Sequence, residues 1–277
     1  MARSRERWYR PDPLPDEGEC SPLVDVAPLP WAPLPFDPQA MSRQLLEGEI
    51  VACESIPSGS NYSFAVGISC HRSSTETTID HIAIYKPRRG EAPLWDFPQG
   101  TLYKREMAAY RTSQTIGWPF IPPTVIRSGP YGIGTVQLYI EPDTSAHYYR
   151  WNSEHLPELM RIAVFDYITN NADRKAAHCL LDAQRRIWGI DHGLTFHEDI
   201  KLRTVIREFS GMRLPDWLHE EVQTFAHSAR CKELLDELQD YISSREVRAF
   251  QRRLERILQR CAFPVLESYD SIPREWW

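Results

Sequence analysis

No apolar run in this 277-residue chain approaches the ~18 residues that a membrane-crossing helix needs. A transmembrane protein is therefore not expected. The opening Met1-Ala2-Arg3-Ser4-Arg5-Glu6-Arg7-Trp8 has no apolar stretch of the secretory-signal kind and runs straight into prolines, so the expectation is a soluble, cytoplasmic protein. An excess of positive charge is missing too. Lys and Arg total 32 against 38 Asp and Glu, a net charge of −6, which gives no compositional support to nucleic-acid tracking or polybasic membrane docking. The six cysteines, Cys20, Cys53, Cys70, Cys179, Cys231 and Cys261, contain no C-x-x-C pair, so reduced, buried thiols are expected rather than a metal finger or a disulfide framework. A full G-x-G-x-x-G loop is also absent, and the lack of an H-E-x-x-H helix or equivalent spacing ranks a metal-dependent hydrolase built on His178, Asp191, His192 and His197 last among the functional readings.

What the chain has in plenty is proline, and it is concentrated. Of 22 prolines, nine lie between Pro11 and Pro38 and break any helical or strand period there. Residues 1–40 therefore read as a Pro-rich arm that favours polyproline II, either tethered, draped over its own domain or held out to a partner. The remaining residues suffice for one large domain or two lobes with a substantial core. Glu49 to Ile56 and Tyr62 to Cys70 read as two strands of a hairpin whose small-residue tip contains Ser58-Gly59-Ser60-Asn61. A third strand runs from His81 to Lys86, with Ile82, Ile84 and Lys86 on one face. Leu102 to Ile116 reads as a helix stopped by Gly117 and Pro119, and Val136 to Glu141 as a further strand. The second half is mainly helical. Glu154 to Tyr167 has helical spacing with Asn152 or Ser153 as N-cap, and Ser243-Ser244-Arg245-Glu246 has capping-box spacing ahead of an apolar stripe.

Polar and ionisable residues crowd the window from Asp166 to Gly193. Residues 178–182 and 187–191 read as a β-hairpin around Ala183-Gln184-Arg185-Arg186. If Asp182 pairs with Ile187, His178 pairs with Asp191 on one face, with Cβ atoms ~5 Å apart, and Asp173 can reach the same space from the preceding loop. Phosphoryl transfer needs such a group: one carboxylate to orient the acceptor proton, and ligands to hold a divalent cation against nucleotide phosphates. It also needs a small-residue cover, a strand lysine and a helix glutamate to hold that lysine. Ser58-Gly59-Ser60-Asn61, Lys86, Glu106, Asp173, His178 and Asp191-His192-Gly193 follow in that chain order. Agreement among several weak signals is stronger than any one of them. Each also has a plainer reading: Lys86 as a solvated edge charge, Asp173 in a surface ion pair, His178 as a hydrogen-bonded strand histidine.

Over roughly residues 45 to 265 the sequence resembles the atypical kinases related to phosphatidylinositol 3- and 4-kinases and HipA-like protein kinases. The resemblance rests on Gly59-Ser60-Asn61-Tyr62, Tyr85-Lys86-Pro87, Arg105-Glu106-Met107-Ala108-Ala109-Tyr110, Asn170-Asn171-Ala172-Asp173-Arg174-Lys175 and Ile190-Asp191-His192-Gly193. It implies a two-lobed α+β protein-kinase-like fold: an N-terminal antiparallel sheet lobe over 41–141, and a mainly helical lobe over 142–277 carrying the catalytic loop and metal site. ATP would lie between them, near Ser58, Gly59, Ser60, Asn61 and Lys86, with adenine beside Gln137, Leu138 and Tyr139. Catalysis would fall to Asp173, Lys86 and Glu106. Two departures stand inside the site: Lys175 where the wider superfamily usually has His, and His178 where it usually has Asn. Magnesium favours oxygen ligands, so His178 would shift preference toward manganese, contact metal through water, or leave Asp191 as the one protein ligand. The resulting expectation is an ATP- and Mg2+- or Mn2+-dependent phosphotransferase acting on a hydroxyl of a protein or small molecule. AMP transfer on the same fold and a nucleotide-binding pseudokinase are the alternatives, and fold does not transfer specificity.

Overall fold

The computed structural model describes residues 27, 29–31, 33–57, 61–71, 78–146, 148, 153–266 and 271–273. The first helix, α1 (Pro38–Glu47), begins where the Asp37 carboxylate accepts hydrogen bonds from the amides of Gln39 and Ala40, with Pro38 pre-setting the first turn. Three antiparallel strands follow, β1 (Glu49–Ile56), β2 (Ser63–Ser69) and β3 (His81–Pro87). Helix α2 (Leu102–Ile116) then leads to β4 (Thr124–Gly129) and β5 (Gly132–Leu138), and the sheet order is β1-β2-β3-β5-β4. Gly117 ends α2 in the left-handed region at φ +87°, as its position after the apolar stripe requires.

The two faces of this sheet differ. Val66, Ile68, Ala83, Tyr85 and Val136 pack with Met41 and Leu45 of α1 into a closed core. Ile82, Ile84 and Lys86 point the other way, and Ile82 keeps 51% of its surface exposed. Alternation along β3 thus delivers Lys86 to an open, partly apolar face. Helix α2 bridges the two lobes: Ala108 and Ala109 join the larger C-terminal core, and Arg111 holds Glu237 through two hydrogen bonds.

That larger core is built by α3 (Leu156–Thr169), the short hairpin β6 (Cys179–Leu181) and β7 (Ile187–Gly189), α4 (Asp216–Ala226), α5 (Ala229–Leu238) and α6 (Ser244–Arg260). The expected capping box is present at α6, with Ser243 and Glu246 exchanging both hydrogen bonds. The five described cysteines are unbridged; Cys20 lies outside the described residues. Among the described residues no helix is long and apolar enough to cross a membrane.

Several expectations shift. The strand expected at Val136 to Glu141 lies earlier, because the Gly129–Gly132 pair around Pro130 and Tyr131 closes a hairpin with β4 that fixes its register. The helix expected at Glu154 to Tyr167 is displaced two residues, with a 3₁₀ turn over Ser153–His155 and Pro157 in its first turn; the cap position falls on His155, not Asn152 or Ser153. The largest correction is the β6–β7 register. Leu181, not Asp182, pairs with Ile187, because Asp182 closes a three-residue loop: its carboxylate accepts from the amides of Gln184 and Arg186 and from the Trp188 indole, and Arg185 takes φ 64°. Of the Pro-rich arm, the described part drapes over its own domain: Trp31 stacks on Phe120 at 6.0 Å, Phe36 on Trp188 at 6.1 Å, and Arg161 donates to Leu29 O. Residues 1–26, 28 and 32 lie outside the described residues.

Candidate active site

Helix α3 ends at Asn170 in the left-handed conformation, φ 54°, and the chain turns into the loop that carries Asp173. Beneath that loop Arg174 and Asp166 form a bidentate ion pair with both side chains at 0% exposure. Asp166 also accepts from Asn171 Nδ2, while Asn171 Oδ1 accepts from the Asp173 amide at 3.0 Å. Arg174 reaches onward to the carbonyls of His178 and Ile190 and donates to His192 Nε2. One buried guanidinium therefore ties the Asp173 loop, the start of β6 and the end of β7 together. Removing either member of a buried pair of this kind costs about 3–5 kcal/mol, because the survivor is left uncompensated.

Above the loop lies a more open cluster. Lys86 Nζ donates to Glu106 Oε1 at 2.6 Å and to Asp191 Oδ1 at 2.9 Å, joining residues 105 positions apart in the chain. Asp191 follows β7 with φ 59°, a left-handed position rare for a residue with a Cβ, and this turn aims its carboxylate back at Lys86. Its side chain remains 46% exposed. His178 ends a 3₁₀ turn over Ala176–His178, ahead of β6, and lies with Nε2 3.4 Å from Asp191 Oδ2. The two residues meet although the one-residue register change denies them direct strand pairing, since neither sits on the regular ladder. Asp173, His178 and Asp191 each offer a ligand atom within 4.8 Å of the others.

The electrostatics follow from these neighbours. The Lys86 ammonium holds the Asp191 carboxyl well below the usual carboxylate range. Burial works against the charge on Lys86, but Asp191 and Glu106 outweigh it and keep its pKa above the ordinary lysine value. Burial raises Glu106. Burial also pushes Asp173 up to about 6, with Lys175, 3.4 Å away, partly offsetting it. His178 is lowered by burial, so its ring is neutral in neutral solution. Its Nδ1 lies 2.8 Å from the Asp173 carbonyl, which can only accept, so Nδ1 carries the proton and Nε2 turns a lone pair toward Asp191. Two acceptors facing each other fit a cation between them. By that donor set the residues suit a divalent metal.

Lys86, Glu106, Asp173, His178 and Asp191 are thus brought together. Asn61 braces the turn after β3 by accepting from the Ala92 amide. Ser58, Gly59 and Ser60 lie outside the described residues. Gln137 is buried with its carboxamide donating to Thr124, while the amides of Leu138 and Tyr139 are taken by the carbonyls of Pro123 and Ile82. Tyr139 itself is exposed. Arg174 satisfies Asp166 instead of facing a phosphate, and His197 bonds Asp96 O in the loop before α2. Sequence reasoning placed Lys175 inside the site as a departure and Asn171 in the matching motif, without giving either a catalytic role beside Asp173. The signal for both was proximity to Asp173, and nothing in the pattern told a turn residue from a partner.

Solved structures share this architecture: the Golgi casein kinase with Mn/ADP bound (TM-score 0.53, 16% identical, 84% of this chain and 77% of that one) and hydra Fam20 with sugar (TM-score 0.52, 13% identical, 79% and 87%). At these identities the likeness is one of fold, and that fold is two-lobed α+β, of the atypical-kinase kind. No protein-family model matches the chain. Protein Rv2133c of Mycobacterium tuberculosis (strain ATCC 25618 / H37Rv) is 34% identical, over 83% of this chain and 92% of its own length, and the chain belongs to the family of that protein.

Proposed function

We propose that this protein is an ATP- and divalent-metal-dependent phosphotransferase that phosphorylates a hydroxyl of a protein or small molecule, with residues 41–141 as the nucleotide-binding lobe and 142–277 as the catalytic lobe. The observation that carries the reading is Lys86 held between Glu106 and Asp191 on the open face of the sheet. Its motifs resemble those of the phosphatidylinositol 3-/4-kinase-like and HipA-like kinases, and the fold comparison supports the same broad class.

Lys86 grips the nucleotide phosphates and Glu106 fixes its direction, so little side-chain freedom is lost when nucleotide arrives. The Ile82 and Ile84 strip beside it gives an apolar rest for adenine. Beyond Tyr139, the amides of Ile140 and Glu141 have no protein partner among the described residues and are available to its edge. Asp173 orients the acceptor hydroxyl and takes its proton as the acceptor oxygen bonds the γ-phosphorus and ADP departs. Partial burial makes it a stronger base than a surface carboxylate, and Lys175 keeps it ionised. Asp191 and His178, when a divalent ion is bound, let that ion neutralise charge on the phosphates.

The test uses γ-labelled and α-labelled ATP with the full chain and fractionated extract. Label from the γ position, lost in both Asp173→Asn and Asp191→Ala, supports the proposal. Label from the α position assigns AMP transfer instead, and full transfer by both variants removes the assignment.

A further inference from the structure

We infer that His178 makes the cation seat selective for a first-row transition ion, with Mn2+ favoured over Mg2+. This rests on the phosphotransferase reading for its role, though not for its geometry. Three observations carry it. Nδ1 lies against the Asp173 carbonyl, an acceptor only, so that nitrogen is committed to its proton and Nε2 is the one that faces Asp191 Oδ2, where a cation would find it. The ring cannot easily turn away: its side chain is 11% exposed, its own amide bonds Lys175 O, and its carbonyl accepts from Ile190 N and Arg174. Asp191 Oδ1 is already committed to Lys86, which leaves Oδ2 as its free ligand atom, the one facing the imidazole.

The imidazole nitrogen beside Asp191 is the poor match for Mg2+, which wants hard oxygen at about 2.0–2.1 Å and gives up water reluctantly. Imidazole suits the transition ions, and a backbone carbonyl on its second nitrogen is the usual device for fixing a ligating ring. Opposite donors on one ion stand about 4.2 Å apart at those bond lengths. The 3.4 Å between His178 Nε2 and Asp191 Oδ2 lies within that span.

The experiment is Mn2+ titration of the full chain with and without ADP, followed by electron spin resonance. Electron-spin-echo modulation then reads nitrogen bound to the manganese. The expected result is a nitrogen signal in the wild type that disappears in His178→Asn, together with a fall of about tenfold or more in Mn2+ preference over Mg2+, measured calorimetrically. Bound Mn2+ without nitrogen modulation, no Mn2+ uptake, or an unchanged preference in the variant would each overturn the inference. If His178→Asn does not fold, the wild-type nitrogen signal decides alone. Nitrogen-bound Mn2+ with no transfer of γ-label keeps this assignment and removes the phosphotransferase reading. Transfer with no nitrogen signal does the reverse.

Discussion

The network around Arg174 and the cluster around Asp191 lie on two sides of the same short stretch of chain, and they handle charge in opposite ways. Below, Arg174 and Asp166 are fully enclosed and satisfy each other through two hydrogen bonds. Above, Asp191 is half exposed, Glu106 and Asp173 are raised by burial, and His178 points a lone pair at a carboxylate. The lower ion pair is satisfied as it stands, although the His192 ring beside it keeps a buried Nδ1 with no hydrogen-bond partner among the described residues. The upper cluster is left with acceptors turned toward each other, the pattern expected of groups whose partner is a ligand. The comparison predicts that lower substitutions act through stability and upper ones through turnover.

Arg174→Met has the largest expected effect, about 3–5 kcal/mol of stability lost to the stranded Asp166, a sizeable share of what a domain has. Denaturant unfolding measures it, and a loss below about 1 kcal/mol would erase the contrast. Asp173→Asn is expected to reduce γ-label transfer about 10²–10⁴-fold. Its melting temperature should be unchanged or slightly higher, because a buried charge repelled by Asp191 is removed. Lys86→Met is expected to weaken ATP binding by about 10–100-fold, the scale of a charge-assisted hydrogen bond, again without unfolding. A pH-dependent effect lies at the Arg105–Glu246 pair, 2.6 Å, which anchors α2 to the start of α6. Despite burial, Arg105 holds Glu246 below its usual pKa of 4.5, so the pair contributes fully above that pH and its contribution fades as pH falls through the depressed value. Thermal melts of wild type and Glu246→Gln should differ at neutral pH and converge in acid; a gap that widens in acid would reverse the sign.

How much of this was legible in the sequence depended on whether a feature is local. Helix α2 was readable to its ends because an apolar period, Gly117 and Pro119 agree over consecutive residues. The box at Ser243 and Glu246 was readable for the same reason. Strand β4 was not foreseen: Thr124–Gly129 has no partner in its own pattern and gains its identity from β5. The β6–β7 register was missed because Asp182 acts through side-chain bonds into its loop, which strand periodicity does not encode. The convergence of His178 and Asp191 was anticipated from a pairing that does not occur; a 3₁₀ turn and a left-handed residue achieve it instead. Gln137 shows the converse. It lies next to the expected connection, yet its side chain is spent on Thr124.

The central claim is that Asp191 and its neighbours form a cation-dependent nucleotide site. The most direct measurement is calorimetric titration of ADP into the full chain, with and without Mn2+, for wild type and Asp191→Ala. The account predicts tight binding in the wild type only when the ion is present, and loss of that dependence in the variant. ADP affinity indifferent to the ion, or a variant that binds as the wild type does, would contradict it.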